Sequence, residues 1–280
     1  MKSDYRLIRK YILHTVKWVN LSFLAAIICL PILWVIISSF KQSVDITSIP
    51  PAWIFKPTIN NYINVIVNRE LPKFLINSAI IAVSSTALVV FIGSICAYSL
   101  ARFKYSGGNS LAIFILCGRM VPPITLVIPY FIMMNKLGLI DTHFSIILTH
   151  IGFNLPFVVW LMRSFFMDIP KELEDAGRID GCTNIGVFIR IILPLAGPGL
   201  ATAAIFSFLY SWNEFLYAFI LTKVNAVTVP VLAAMFVTPI GVLWGELFSV
   251  VIFVIAPMLV LGFIIRRYFV KGLTLGAVKG

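Results

Sequence analysis

Charge is scarce in this chain: 22 basic and 11 acidic residues make up 12% of 280 positions, against 60% hydrophobic. A mean hydropathy of +1.00 excludes a water-soluble domain as the main body. Histidine, with three residues, and cysteine, with four, are too few and too scattered for a metal centre or a disulfide framework. GxSxG and HExxH are absent, so hydrolase chemistry has no support. The dipeptide Gly-Lys does not occur, which removes a Walker-type nucleotide loop. No catalytic constellation is left, and any work against a gradient must draw on an ion or on another polypeptide.

What the chain does have is long apolar stretches. Residues 18–40, 74–101, 142–162 and 247–265 contain no Asp, Glu, Lys or Arg, while 105–135 holds only Arg119 and 191–222 only Glu214. Each is long enough for the roughly 20 helical residues that a hydrocarbon core demands. The first stretch follows Lys2, Arg6, Arg9, Lys10 and Lys17, but it exceeds a secretory h-region and no small-x-small site follows it. It reads as a retained helix. Residues 224–245 are also uncharged, yet Pro230 and Pro239 leave too short a run to cross.

Charge bias selects the topology. With six spans and an inside N-terminus, five basic residues at the start fall inside, as do Arg102, Lys104, Arg163, Lys171, Arg178, Arg190, Arg266, Arg267, Lys271 and Lys279, fifteen of 22. A seventh span would send the last four outside, against the positive-inside rule. The expectation is an all-α, polytopic membrane protein with six transmembrane helices and both ends cytoplasmic. Residues 1–17 form a cytoplasmic entry segment, 18–40 the first span, 41–73 an extracytoplasmic loop, 74–268 the membrane core and 269–280 a tail. That tail is glycine-rich and reads as too flexible for a helix. The net charge of +11 serves topology and anionic lipid rather than nucleic acid, since no soluble face carries it.

One inner loop, 163–194, breaks the pattern. Five of the eleven acids (Asp168, Glu172, Glu174, Asp175 and Asp180) lie within thirteen residues. Pro170 suits a first helical turn with Asp168 just upstream as a cap or a helix-dipole partner, and Gly181 is a natural stop. Lys171–Asp175 and Glu174–Arg178 are i,i+4 pairs of opposite sign that support a short helix. Ala176, Gly177 and Gly181 let a neighbour approach closely. A second amphipathic stretch, 184–191, runs on to Pro194, which makes a helix-turn-helix elbow on the inner face.

The loop also carries a resemblance. "ELEDAGRIDGCTNIGVFIRIILPLAGP" resembles the signature loop of permease subunits in binding-protein-dependent ABC importers: Glu-Ala-Ala, three residues, Gly, nine residues, Ile-x-Leu-Pro. Asp175, Ala176 and Gly177 take the first three places, Gly181 the glycine, and Ile191, Leu193 and Pro194 the end. Asp keeps the charge of Glu, and Gly stays small like Ala. "NSAIIAVSSTALVVFIGSICAYSLARF", "VPPITLVIPYFIMMNKLGLIDT", "YSWNEFLYAFILT" and "RRYFVKGLTLGAVKG" are similar to the smaller, maltose-type subunit. The resemblance implies a sugar importer of a bacterial-type inner membrane. It implies a second permease subunit (a paralogue or a copy), two cytoplasmic ATPase subunits and an extracytoplasmic sugar-binding protein. It implies coupling through Glu172, Asp175, Ala176, Gly177, Asp180, Gly181, Ile191 and Pro194. This chain would bind no cofactor, with ATP and Mg on the partner ATPases.

Polar residues inside spans are costly and point to a pathway. Arg119 precedes Val121-Pro122-Pro123, where two missing amides should break the third helix. Trp212, Asn213 and Glu214 offer an aromatic face with amide and carboxylate acceptors, which suits a hydroxyl-rich solute; an interhelical hydrogen bond from Glu214 that fixes packing is the other reading. Asn154 is a weaker pathway candidate, and Asn77 reads as interhelical glue. For Arg119 the available partners are Glu214 or the substrate, and a guanidinium fork suits an acidic sugar. The competing class, an ion-coupled secondary transporter, requires inverted repeats and unwound ion-binding helices, and neither is visible.

Overall fold

A computed structural model describes the backbone of residues 2–103, 106–239 and 241–276, and the side chains of 12–103, 106–239 and 241–263. Within it the chain is helical almost throughout. The order is α1 (Lys2–Ser39), α2 (Ser43–Thr47), α3 (Asn60–Ile63), α4 (Leu71–Arg102), α5 (Gly108–Cys117), α6 (Pro123–Lys136) and α7 (His143–Asp168). There follow α8 (Glu172–Ile179), α9 (Asn184–Val187), α10 (Leu193–Leu195), α11 (Gly197–Asn213), α12 (Leu216–Leu221), α13 (Val229–Ala234) and α14 (Trp244–Gly276). π-helical turns occupy Asn64–Asn68 and Phe188–Ile192, and β1 (Val237–Thr238) pairs antiparallel with β2 (Gly241–Val242).

Among the described residues, four helices are long and apolar enough to cross a membrane alone: Ile12–Ser39, Leu71–Arg102, His143–Asp168 and Trp244–Phe263. Two bent pairs bring the number to as many as six. They are Gly108–Met120 with Pro123–Lys136, bent by 92°, and Asn184–Leu195 with Gly197–Asn213, bent by 76°. The first bend falls at Pro122-Pro123, where the prolines withhold the amides that a straight helix needs. Among the described residues of 224–245 the chain forms α13 and the β1–β2 pair, and no helix there is long and apolar enough to cross.

The chain divides into two compact units. Met1–Glu70 with Phe236–Phe253 make one. In it Asn61 donates to the carbonyls of Ser39 (2.8 Å) and Lys41 (2.9 Å), and Gly245 leaves room for the Asn61 amide. Leu71–Met235 with Val254–Gly280 make the other. Its centre is α4 against α7, with α11 against both. Val89, Ala97, Val158, Val159, Met162, Phe166 and Ala203 are buried there. Small residues set the spacing: a methyl on Gly93 would stand 2.6 Å from Val158 Cγ1, and one on Gly199 2.6 Å from Phe165 Cγ. In hydrocarbon, where apolar burial gives no drive between helices, such close approach is what packs them.

The fold corrects two sequence expectations. Residues 191–222 are not one continuous helix, because the chain bends by 76° between Leu195 and Gly197 and leaves helical geometry again at Glu214 (ψ 125°) before α12 begins. The tail is helical to Gly276 as the end of α14, while 277–280 and the side chains beyond Phe263 lie outside the described residues.

Candidate functional site

The elbow is built around one buried acid. Over α8, Glu174 and Gly177 point inward, a spacing of three that shares one helix face. Glu174 is only 2% exposed, and burial of a carboxylate at that level requires partners. They come from the end of α4: Tyr98 Oη donates to Oε2 at 3.0 Å and Arg102 Nε donates to Oε1. Arg102 also donates to the Ile169 carbonyl at 2.8 Å, which ties the chain just before the elbow to the same point. Arg178 adds an i,i+4 contact to Glu174 at 3.5 Å and donates to Asp175 Oδ1 at 2.7 Å and Asn184 Oδ1 at 3.2 Å.

The second arm packs on the first. A side chain at Gly177 would collide with Ile191 Cδ1, so the glycine and the isoleucine fourteen residues on in the loop meet at the elbow's core. Gly181 ends α8 with φ +85°, a left-handed turn that glycine takes without a Cβ clash. Thr183 caps α9 by accepting from Gly186 N at 3.1 Å. Pro194 lies on α10 and is exposed. The opposite face of α8 is open: Glu172, Leu173, Asp175, Ala176, Ile179 and Asp180 are all exposed, Ile179 by 87%.

Two local expectations change. Asp168 ends α7 and caps nothing, since the residue before α8 is Lys171 and no side chain caps it. Asp175 pairs with Arg178 at i+3 rather than with Lys171. No local spacing marks Tyr98 and Arg102 as partners of Glu174, because they lie 76 and 72 residues from it.

The intramembrane polar residues separate into two groups. Arg119, in the short 3₁₀ turn at the α5–α6 bend, donates to Asn154 Oδ1 at 3.5 Å and lies over the rings of Phe157 (4.9 Å) and Phe153 (6.0 Å). Its partners are an amide and two π faces, not Glu214. Asn154 also donates to the Ser207 carbonyl at 3.5 Å, linking α7 to α11.

Glu214 has a different task. Its carboxylate accepts from the amides of Tyr217 (2.9 Å) and Ala218 (3.2 Å), the open N-terminus of α12, where negative charge is favoured. His150 Nε2 lies 3.4 Å from Glu214 Oε2, His150 Nδ1 lies 2.6 Å from Ser211 Oγ, and Ser85 donates to Ser211 at 3.0 Å. Ser85 also reaches the Ala82 carbonyl at 3.3 Å, so Ser85, Ser211, His150 and Glu214 form one continuous hydrogen-bonded line from α4 through α11 and α7 to the α12 N-terminus. Trp212 is buried, stacks on Phe208 and donates to the Val254 carbonyl at 3.0 Å, while Asn213 bonds back to Leu209. Trp212 and Glu214 thus hold the α11–α12 break in shape.

A third cluster lies around Asp141 and Asn77; the Asn77–His143 bond joins α4 to α7, as the reading of Asn77 as interhelical glue expects. Asp141, at φ +63°, accepts at Oδ1 from the amides of Lys223 (2.9 Å), Val224 (3.1 Å), Asn225 (3.0 Å) and Ala226 (3.3 Å). Burial pushes its carboxyl up, but the backbone donors outweigh that and hold it at about 2. Asn77, held by His143 at 2.8 Å, donates to the carbonyls of Asn225 (2.8 Å) and Val227 (2.9 Å) in the same loop.

A cavity of about 740 Å³ borders α4 and the elbow. Its lining is apolar apart from Thr86, Ser94, Tyr98 and Asn184, which fits hydrocarbon better than a hydroxyl-rich solute. Among the described residues, no three His, Cys, Asp or Glu side chains come together as a metal site.

Known proteins share both the sequence and the fold. Residues 89–275 match the family described as binding-protein-dependent transport system inner membrane component. A probable ABC transporter permease protein of Sinorhizobium fredii is 36% identical over 268 residues, covering 96% of this chain and 95% of that protein. A trehalose/maltose transport system permease protein of Thermococcus litoralis is 34% identical over 277 residues, covering 97% and 99%. An arabinooligosaccharides transport system permease protein of Halalkalibacterium halodurans is 35% identical over 274 residues, covering 96% and 98%. The fold is that of a chain in a bacterial ABC transporter that imports the acidic polysaccharide alginate, with a TM-score of 0.77 at 22% identity over 92% of this chain and 96% of that one.

Proposed function

We propose, on the premise that this chain belongs to the family of binding-protein-dependent transport system inner membrane components, that it is the permease subunit of an ATP-driven sugar or oligosaccharide importer. The relatives named for trehalose/maltose and arabinooligosaccharide transport support a carbohydrate cargo. The cargo arrives on an extracytoplasmic binding protein, and the chain works beside a second permease subunit in a bacterial inner membrane with both its ends cytoplasmic. It performs no chemistry itself. Two ATPase subunits carry ATP and Mg.

The observation that supports coupling is the two-faced elbow. One face is tied to α4 by Glu174, Tyr98 and Arg102, and the other presents Ala176, Ile179 and Asp180 to solvent. An ATPase cleft closing around the free face would pull α8, and the Glu174 ties would pass that displacement to α4. Small residues allow close docking, and Gly181 keeps the turn tight. Arg119, Asn154, Phe153 and Phe157 form the stretch of pathway we assign to cargo: two aromatic faces with a cation and an amide suit a sugar ring.

Ile179→Asp tests the coupling, because an 87% exposed side chain can change without disturbing the fold. In the reconstituted complex we expect loss of substrate-stimulated ATP hydrolysis with an unchanged thermal midpoint. Stimulation at the wild-type level would overturn the assignment. Purification of the wild-type chain without any ATPase subunit would favour a secondary transporter instead.

A further inference from the structure

The loop after α1 carries apolar side chains with no cover. Ile49 and Ile54 are each 97% exposed, Val44 77% and Trp53 75%. An extracytoplasmic loop standing in water would not be expected to gather such residues. Its path explains them. Lys41, just past the end of α1, is itself buried and donates from Nζ to the Ala52 carbonyl at 2.8 Å, with its ammonium 4.7 Å from the Trp34 ring and 5.0 Å from the Phe55 ring. Thr58 N donates to the Phe40 carbonyl at 2.8 Å, closing the loop at its far side. Between those ties, Trp53 packs edge-on against Trp34 at 5.4 Å.

That contact fixes depth. Trp34 lies five residues before Ser39, the last residue of α1, which places it roughly 7.5 Å back from the helix end at a rise of about 1.5 Å per residue. Helical side chains lean toward the N-terminus, so the Trp34 ring lies deeper still. The loop therefore turns back along a membrane-crossing helix instead of rising away from it. Trp53 reaches the level where aromatic belts sit between headgroups and hydrocarbon, and Ile54 follows it directly.

We infer that residues 44–54 dip into the lipid surface at the C-terminal end of α1, with Ile49, Trp53 and Ile54 in the interfacial region of that leaflet as an anchor for the loop. Lys41 acts as the internal clasp: the Ala52 carbonyl and two aromatic faces satisfy the cation, so no headgroup is needed to hold it. The inference is independent of the cargo and of the ATPases, and it holds for either orientation of the chain in the bilayer.

The test places an environment-sensitive fluorophore on Ile54→Cys, in a chain whose four cysteines are replaced by serine, reconstituted into phosphatidylethanolamine–phosphatidylglycerol vesicles. We expect blue-shifted emission that is mostly quenched by lipids brominated near the top of the acyl chain and little affected by aqueous iodide. Lys41→Met should then release the loop and reverse the order of the two quenchers. Quenching by iodide but not by bromolipid in the Lys41 parent would overturn the proposal. So would a probe open to iodide that becomes shielded only when a binding protein or second permease subunit is added, which would make the patch a protein contact.

Discussion

Gly177 decides how tightly the elbow closes. The atom that a methyl would meet, Ile191 Cδ1, is the end of a flexible side chain that can rotate away. Gly177→Ala should therefore be tolerated, whereas Gly177→Leu should separate the two arms and abolish substrate-stimulated ATP hydrolysis; Ile191→Ala should partly restore a Gly177→Val chain. Glu174 stands at the other extreme. Removing one member of a buried ion pair costs about 3–5 kcal/mol, because the remaining charge stays desolvated. Glu174→Leu alone should sharply lower the thermal midpoint of the purified complex, and adding Arg102→Leu should recover part of the loss. Arg119 behaves differently, since its partners are Asn154 and two phenylalanine rings rather than an acid. Arg119→Gln should assemble normally and weaken uptake, and Glu214→Gln should give no rescue. Rescue by Glu214→Gln would show that the two charges are coupled.

At the level of elements, the loop clasp formed by Asp141 has a pH signature. The carboxyl is held at about 2 against an ordinary value of 3.8, so the folded state favours the charged form. Its contribution is complete above the unfolded value and is lost as pH falls from about 4 through 2. Hydrogen exchange at the amides of residues 223–226 should accelerate across that window relative to Asp141→Asn at the same pH, and equal acceleration in both would sink the assignment. This clasp was not legible in the sequence. A positive φ at an aspartate and four amides 82 to 85 residues away depend on tertiary approach. The break at Pro122-Pro123 was legible, because proline withholds a donor wherever it sits. The break at Glu214 was not: it lacks Pro or Gly, and beside the local amides of Tyr217 and Ala218 the carboxylate has a histidine on another helix as a partner. The elbow was half legible. Local spacing marked α8, Gly177, Gly181 and Ile191, but the tie from Glu174 to Tyr98 and Arg102 joins segments far apart in the chain.

Over the whole molecule, hydropathy and charge speak most plainly, because a bilayer imposes its thickness on every span. All six charge-poor stretches contain helix, and the two that hold a charge, at Arg119 and Glu214, are the two that break inside. The bias of basic residues predicts both ends on the inner side. Epitope tags fused at each end should be cleaved by protease in inverted vesicles and protected in intact spheroplasts, and cleavage of either tag in spheroplasts would overturn that topology.

The π-helical turn at Phe188–Ile192 has a consequence for how such chains can vary in length. A turn closed by i to i+5 bonds holds one residue more than an α turn. Deleting Ile189 would thus leave an ordinary helix with the flanking arms in their original phase, even though the count from Gly181 to Ile191 falls by one. The same deletion inside α7 would swing everything beyond it by about 100°, one residue's share of a 3.6-residue turn. The elbow contains a place where a codon can be lost, and spacing alone would then misjudge a chain whose joint is intact.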